Sequence, residues 1–576
     1  RPPMWMADRG AAGCNPLRRP LHRLAAAATL LAALTVPAGP AVAQTVSGVL
    51  RAEVADGAIE VVDDAHGPRA FFDTVEARGV GGGTLLVNEL GIDDYVAGVA
   101  EMPGRWHLEA LKAQAVAART YAWYSMRLGT FTHYDICAST ACQVFRGATV
   151  ELSGDGGRWR QAVDETAGEV LVDGDGLPIL ARYFSTSGGR TYANEYVFPD
   201  EGPRPYLVGT EDAPDEVSPY HRWTVRFTRE QFDDIIGRGD TLGAATPVAE
   251  IRRDGEVHDP YADIVVTGTD GTEVRVGVRA FRDFVSRVAS QQYPDEFPGI
   301  RSDGLRRLPD AVLSSRFEIS LDDEAVTIVG RGWGHGVGMS QYGAKGRAER
   351  GDGYAQILAA YYDGLEPVVS DDLPPRVRVG LDVGDGFTLR PTRAMRVTVG
   401  ETVVAETAIG AWTATRDGDG WTLTPPEGHD AELEVSATRP AEGLAVGDAV
   451  VVEADLNKPA LLRLVVTDAT GGEVLVRELG AAEAGVQAAT WRYDDAQGEP
   501  VGPGEYAVAL VARDAAGAEA GSPLAVTVSE DAADAAADEA RADGQDGAGG
   551  RIVALVLVGA VLVLLLAVQG SRRRAA

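Results

Sequence analysis

Leu108-Glu109-Ala110-Leu111-Lys112-Ala113-Gln114-Ala115-Val116-Ala117-Ala118-Arg119-Thr120-Tyr121-Ala122 decides how this chain folds. Leu108, Leu111, Ala115, Ala118 and Ala122 recur at helical spacing, and residues 106–127 contain neither Gly nor Pro, so a helix is expected there. Just upstream, Pro103 takes Val99-Ala100-Glu101-Met102-Pro103 out of helix and leaves Glu101 in a turn among apolar neighbours. Desolvation there disfavours the charged carboxylate, so the pKa of Glu101 is expected to rise, which suits a general acid. The plainer reading is an acid near the start of the helix, where the positive end of the dipole favours negative charge. Arg119, inside the helix, is either a surface ion pair or a partly buried cation acting on Glu101 or on a substrate oxygen.

Outward from this core, residues 44–84 alternate apolar and polar side chains between Gly-rich turns and read as an opening β segment. Residues 150–330 mix strand-like runs with short helices, which predicts an α+β domain. Then comes Gly330-Arg331-Gly332-Trp333-Gly334-His335-Gly336-Val337-Gly338-Met339-Ser340-Gln341-Tyr342-Gly343-Ala344. Glycine at every second position bares the backbone, which permits close approach to a ligand, with a sugar face stacking on Trp333. A tight turn array in which His335 only bonds backbone is the equal alternative. The glycines do not follow a strand and open a helix, so a dinucleotide site is not indicated. Further on, residues 366–436 and 437–528 carry short strand runs with turn clusters and read as two small β modules.

With 576 residues, 45% of them hydrophobic, the chain has room for three or four domains. Lys and Arg total 53 against 85 for Asp and Glu, a net charge of −32 that argues against nucleic acid as a partner. Both ends read as targeting segments. Arg18, Arg19 and Arg23 precede an apolar run and Ala41-Val42-Ala43, which predicts a signal peptide over 1–43. An acidic Ala/Gly-rich stretch, 529–550, is expected to be a flexible stalk. Residues 551–570 hold an uncharged apolar run followed by Arg572, Arg573 and Arg574, so a transmembrane helix with a cytoplasmic basic tail, 571–576, is expected. On this reading the protein is extracytoplasmic and anchored in the cell membrane by its C-terminal helix.

The Ala-Glu-Met-Pro turn, the helix quoted above, Ala181-Arg182-Tyr183-Phe184-Ser185-Thr186-Ser187-Gly188-Gly189 with Pro205-Tyr206-Leu207, and the Gly-rich loop occur in an order that resembles the sporulation stage II protein D and amidase-enhancer family of cell-wall proteins. The resemblance covers about 85–365. Leu462-Arg463-Leu464-Val465-Val466-Thr467-Asp468-Ala469 and Gly502-Pro503-Gly504-Glu505-Tyr506 similarly resemble the immunoglobulin-like module of flagellar hook-capping proteins. The first resemblance implies a peptidoglycan lytic transglycosylase with Glu101 as the single catalytic acid and base. Arg119, Tyr183, Ser187, Tyr206, Trp333 and His335 are the substrate-binding positions it implies, and peptidoglycan glycan strands the partner. It equally implies the rival reading of a glycan-binding enhancer that serves a separate cell-wall amidase without cutting. Gln143-Val144-Phe145-Arg146-Gly147 departs from the family's Gln-x-Tyr-x-Gly by placing Phe145 where the hydroxyl would be.

Such chemistry requires no cofactor. Outside the cytoplasm, Cys137 and Cys142 are expected to close a short disulfide loop. A structural zinc on His133, Cys137 and Cys142 is the alternative, without an evident fourth ligand.

Overall fold

A computed structural model describes residues 44–151, 156–297, 311–446, 449–533 and 536. Strands Leu50–Asp63, Gly67–Val80 and Gly83–Gly91 form an antiparallel meander. Their alternation of apolar and polar residues buries Leu50, Ala52, Ile59, Val61 and Phe71 on one face, as the period of two dictates. The meander is only part of an 11-stranded sheet. Arg376–Val383 pairs antiparallel with Gly83–Gly91, in the register Arg376 to Gly91. Gly386–Pro391 and Met395–Val399 pair with the two halves of Leu50–Asp63, on either side of an irregularity between Glu53 and Ala58. Gln44–Ser47 pairs with Gly420–Thr424. The strands within 376–424 therefore do not form the separate module expected of 366–436; they complete the sheet begun by 44–91, while Val368–Val369 pairs with Glu169–Val170 and Leu433 lies in the core of the following sandwich. Local periodicity marks a strand but not its partner, and these partners lie more than three hundred positions apart.

Against this sheet lies helix Leu108–Leu128, which the sequence placed within two residues at its start and one at its end. The His107 side chain accepts from Glu109 N–H at its beginning, and Gly129 ends it in the left-handed region. Ala110, Ala113, Ala115, Ala117, Ala118 and Ala122 are fully buried, so the helix is covered on all sides and its small residues let neighbouring elements approach closely. The short helix Ile92–Ala97 leads into the Glu101 turn.

Between Tyr183–Phe184 and the Gly-rich loop the chain builds a second lobe with its own core. Strands Trp223–Thr228, Ala325–Gly330 and Phe317–Leu321 form one three-stranded sheet, and Val248–Asp254, Asp263–Gly268 and Glu273–Gly277 another. Helices Arg229–Gly237 and Val278–Gln292 close over Phe227, Phe232, Phe281 and Phe317. Farther along, two sheets face each other around Trp491, Leu464, Val466, Val508 and Leu510, a β-sandwich within 437–528. Ala481 N–H donates to Thr392 O at 2.8 Å, tying the sandwich to the large sheet.

The balance differs from the α+β class expected: among the described residues β structure predominates, 41% strand against 22% helix. The long sheet, invisible as a unit in local sequence, makes the difference. Among the described residues no helix is long and apolar enough to cross a membrane. The stretch read as a transmembrane helix, 551–570, lies outside the described residues, as do the signal peptide, 1–43, and the tail, 571–576. Anchoring through a C-terminal helix is accordingly withdrawn. At the start of the stretch read as a stalk, Ala533 N–H bonds Ser529 O at 3.0 Å, and Ala533 and Ala536 are buried in the sandwich core. Small apolar side chains found burial there that their size did not advertise.

Candidate functional site

Glu101 is placed by a short strand-like pairing. Ala100 N–H donates to Val144 O at 2.8 Å and Arg146 N–H to Gly98 O at 2.8 Å, a register that carries Val144 N–H to Glu101 Oε1 at 2.8 Å. The Gln341 side chain reaches the Glu101 carbonyl from the end of the Gly-rich loop, at 3.2 Å. Three distant segments thus converge on one half-buried carboxylate.

They line a cleft of about 1090 Å³. Glu101, Tyr183, Trp333, His335 and Cys142, all singled out from the sequence, stand on its wall. Tyr183 belongs to a two-residue strand running parallel to Met339–Ser340. Gly338 makes this pairing possible: its φ is +78°, and a Cβ there would collide with the Arg182 carbonyl. Burial raises the Tyr183 phenol well above its ordinary pKa, and the charge of nearby Glu101 pushes the same way. Its hydroxyl accepts from Gln143 Nε2 at 2.9 Å, and Gln143 Oε1 in turn accepts from the Tyr95 hydroxyl at 2.5 Å.

His335 Nδ1 accepts from Val337 N–H at 3.1 Å, which leaves the proton on Nε2, donated to Tyr183 O at 3.0 Å. Its pKa is pushed down, first by the protein packed around it and then by the guanidinium of Arg182. The ring edge remains open to the cleft, yet a neutral imidazole also follows from the amide that donates to Nδ1. Trp333 is only 7% exposed, with its ring set in the core of the second lobe, so little of it is open to a sugar face. Tyr220 and Tyr342, which sequence reasoning passed over, are half-buried and form the more open aromatic wall, with Tyr220 5.1 Å from Trp333 and Tyr342 4.7 Å from Trp106. The Ser-Gln-Tyr run after the glycines held the signal for Tyr342.

Other expected site residues serve the scaffold. Arg119 is fully buried; its Nε donates to Asp93 at 2.8 Å and its terminal nitrogens to the Glu169 and Val163 carbonyls at 3.0 and 3.3 Å. It is neither a surface pair nor a cleft residue, because the helix bearing it is buried all round. The Tyr206 hydroxyl accepts from Leu180 N–H at 3.1 Å, away from the cleft wall. Ser187 is buried, and its hydroxyl accepts from Gly189 N–H at 3.1 Å. The turn around it is held by Asp215, whose two oxygens accept from Ser187 N–H, Gly188 N–H, the Ser340 hydroxyl and the His221 ring at 2.8 to 2.9 Å. Arg316, also buried, donates to Ser187 O at 2.6 Å. Neither Asp215 nor Arg316 carries a periodicity or motif that would have marked it.

Cys137 and Cys142 are joined in a disulfide, which leaves no thiolate for zinc, and His133 Nδ1 lies 3.4 Å from an Arg78 guanidinium nitrogen. Among the described residues no cluster of His, Cys, Asp and Glu is suited to a metal ion.

Residues 80–172 match the family described as Stage II sporulation protein, and 442–516 the FlgD Ig-like domain. The chain is 33% identical over 288 residues to the amidase enhancer of Bacillus subtilis (strain 168), a match covering 46% of this chain and 38% of that protein. An uncharacterized protein of Brachyspira hyodysenteriae is 32% identical over 294 residues, 49% of this chain and 68% of its own length. Stage II sporulation protein D of Bacillus subtilis (strain 168) is 29% identical over 296 residues, 49% of this chain and 75% of that one. The matched segment thus spans well under half of the amidase enhancer.

Proposed function

This chain belongs to the stage II sporulation protein D family, and on that premise we propose that it is a peptidoglycan lytic transglycosylase. Glu101 protonates the oxygen between N-acetylmuramic acid and N-acetylglucosamine as the bond from that oxygen to C1 breaks. The muramic 6-hydroxyl then closes on C1 and gives its proton to the same carboxylate, so the product carries a 1,6-anhydro end. A hydrolase needs a second carboxylate to deliver water or a nucleophile to the far face of the ring; this chemistry does not.

The observation that supports the reading is that Glu101, Tyr183 and His335, brought from three distant segments, stand on one cleft wall. The other wall acid, Asp283, is bound by Arg282 at 2.9 Å. The Val144 amide donates to Glu101 Oε1 at 2.8 Å and so orients the carboxylate. Tyr183 and His335 supply a donor hydroxyl and a neutral ring for sugar oxygens. A second reading draws on the relative named amidase enhancer: the same cleft holds glycan for a separate cell-wall amidase and does not cut.

Incubating the chain with intact and amidase-stripped peptidoglycan, and weighing the products by mass spectrometry, separates the two. Anhydro ends formed by the parent and absent with Glu101→Gln support the transglycosylase. No cutting of either preparation, together with stimulation of an amidase that Glu101→Gln leaves intact, supports the enhancer.

A further inference from the structure

Two guanidinium groups lie over the Phe198 ring on the cleft wall, that of Arg182 at 3.8 Å from the centroid and that of Arg279 at 5.6 Å. They differ in what else they do. Arg182 donates to both oxygens of Glu201, at 2.6 and 2.7 Å, so its charge is matched. Arg279, half-buried in the first turn of helix Val278–Gln292, has no carboxylate within ion-pair reach among the described residues. A guanidinium resting over a ring keeps its edge N–H groups for a planar anion, and carboxylate is the group that fork fits.

The surroundings point the same way. The wall carries Arg146, Arg182, Arg279 and Arg282 against Glu101 and Asp283, and even with Glu201 counted against Arg182 the cations outnumber the acids, in a chain whose net charge is −32. Cations gathered inside a cleft of an acidic protein focus the field on anions that the rest of the surface repels. This patch also adjoins the reacting end: Phe198 packs edge-on to His335 at 5.7 Å, and His335 bonds the Tyr183 carbonyl beside Glu101.

We propose that Arg279, over Phe198, forms a subsite that binds a carboxylate borne by the glycan. The inference rests on a glycan strand occupying the cleft. Two carboxylates have the right chemistry: the lactyl group of muramic acid, free once the stem peptide is gone, and the acids of the stem itself. A strand that carries neither loses this contact.

The test measures binding rather than cutting, with the full chain carrying E101Q. Cosedimentation is followed with intact peptidoglycan, with amidase-stripped glycan, and with stripped glycan whose carboxyl groups have been reduced to alcohols. Adding Arg279→Gln is expected to weaken binding of a carboxylate-bearing preparation by roughly 10- to 100-fold, the worth of one charge-assisted hydrogen bond, with Arg279→Lys between. The reduced glycan is expected to bind both proteins alike. Loss confined to stripped glycan identifies the lactyl carboxylate, and loss confined to intact wall identifies the stem. Unchanged affinity for all three, or an equal loss on the reduced glycan, overturns the subsite. If E101Q alone binds none of the three, the glycan reading of the cleft falls and the subsite with it.

Discussion

Gln143 sits between two phenols, accepting from Tyr95 at 2.5 Å and donating to Tyr183 at 2.9 Å. Its amide cannot turn over, because Nε2 also donates to the Ala118 carbonyl at 3.3 Å. The Tyr183 hydroxyl is therefore an acceptor toward the interior and keeps its own proton for the cleft beside Glu101. Replacing Tyr183 with Phe preserves the ring and removes that proton. The rate of anhydro-end formation should fall on the order of 10- to 100-fold with little change in melting temperature. A Phe variant that turns over at the parental rate would strip Tyr183 of its part.

Arg119 should behave as a structural residue. Arg119→Ala leaves the Glu169 and Val163 carbonyls without their donor and Asp93 without its cation. The cost is expected at about 3 kcal/mol by urea unfolding. Protein that remains folded should bind glycan as the parent does; a selective loss of binding at unchanged stability would return Arg119 to the site.

Asp212 gives a pH signature. Burial raises its carboxyl to about 6, against the opposing bond from the Tyr361 hydroxyl at 2.7 Å. Because the folded pKa is the higher one, the native state binds the proton more tightly, and stability falls as pH rises from the unfolded pKa through the folded one. Asp212→Asn should remove this slope. Relative to the parent, it should gain about 2 to 3 kcal/mol between pH 4 and pH 7, read as the difference between the two unfolding curves. Parallel curves over that range would contradict the burial argument.

Reduction of the Cys137–Cys142 bond should loosen the segment 138–142, which forms part of the cleft wall. For so short a loop the loss is about 2 kcal/mol, and Cys142→Ser should reproduce it. A chelator should leave turnover untouched. Activity lost to chelator and restored by zinc would require a metal site in place of the disulfide.

How far the sequence spoke depends on the range of each interaction. The helix around Arg119 was legible because its apolar spacing, its freedom from Gly and Pro and its terminal Gly129 are all local. Glu101 could be marked as a turn residue with apolar neighbours, but not as the acceptor of the Val144 amide, since that contact depends on a strand-like pairing across more than forty positions. Arg119 was misplaced because nothing in a helical pattern tells which cation will be covered on every side. Asp215 and Arg316 were missed for the same reason: their importance lies in the groups they gather, the backbone of 186–190 from both and the side chains of His221 and Ser340 from Asp215, which are distant in sequence. Residues 366–436 were read as a unit because strand periodicity records faces, not partners.

The sheet that joins Leu50–Asp63 to strands beyond residue 375 sets an order of events for the newborn chain. Its first strands leave the ribosome with both edges waiting for neighbours that have not yet been made. The helix and the second lobe, whose contacts are nearer in sequence, can form before those edges are closed. Completing the sheet means closing a loop that contains the whole cleft, an entropic cost of the kind that slows folding. One part of the cleft wall must wait for it: strand Ile136–Cys137, which leads into the lining residues 138–142, pairs with Arg376–Val383, and a chain interrupted before residue 376 would leave that strand unpaired beside open sheet margins.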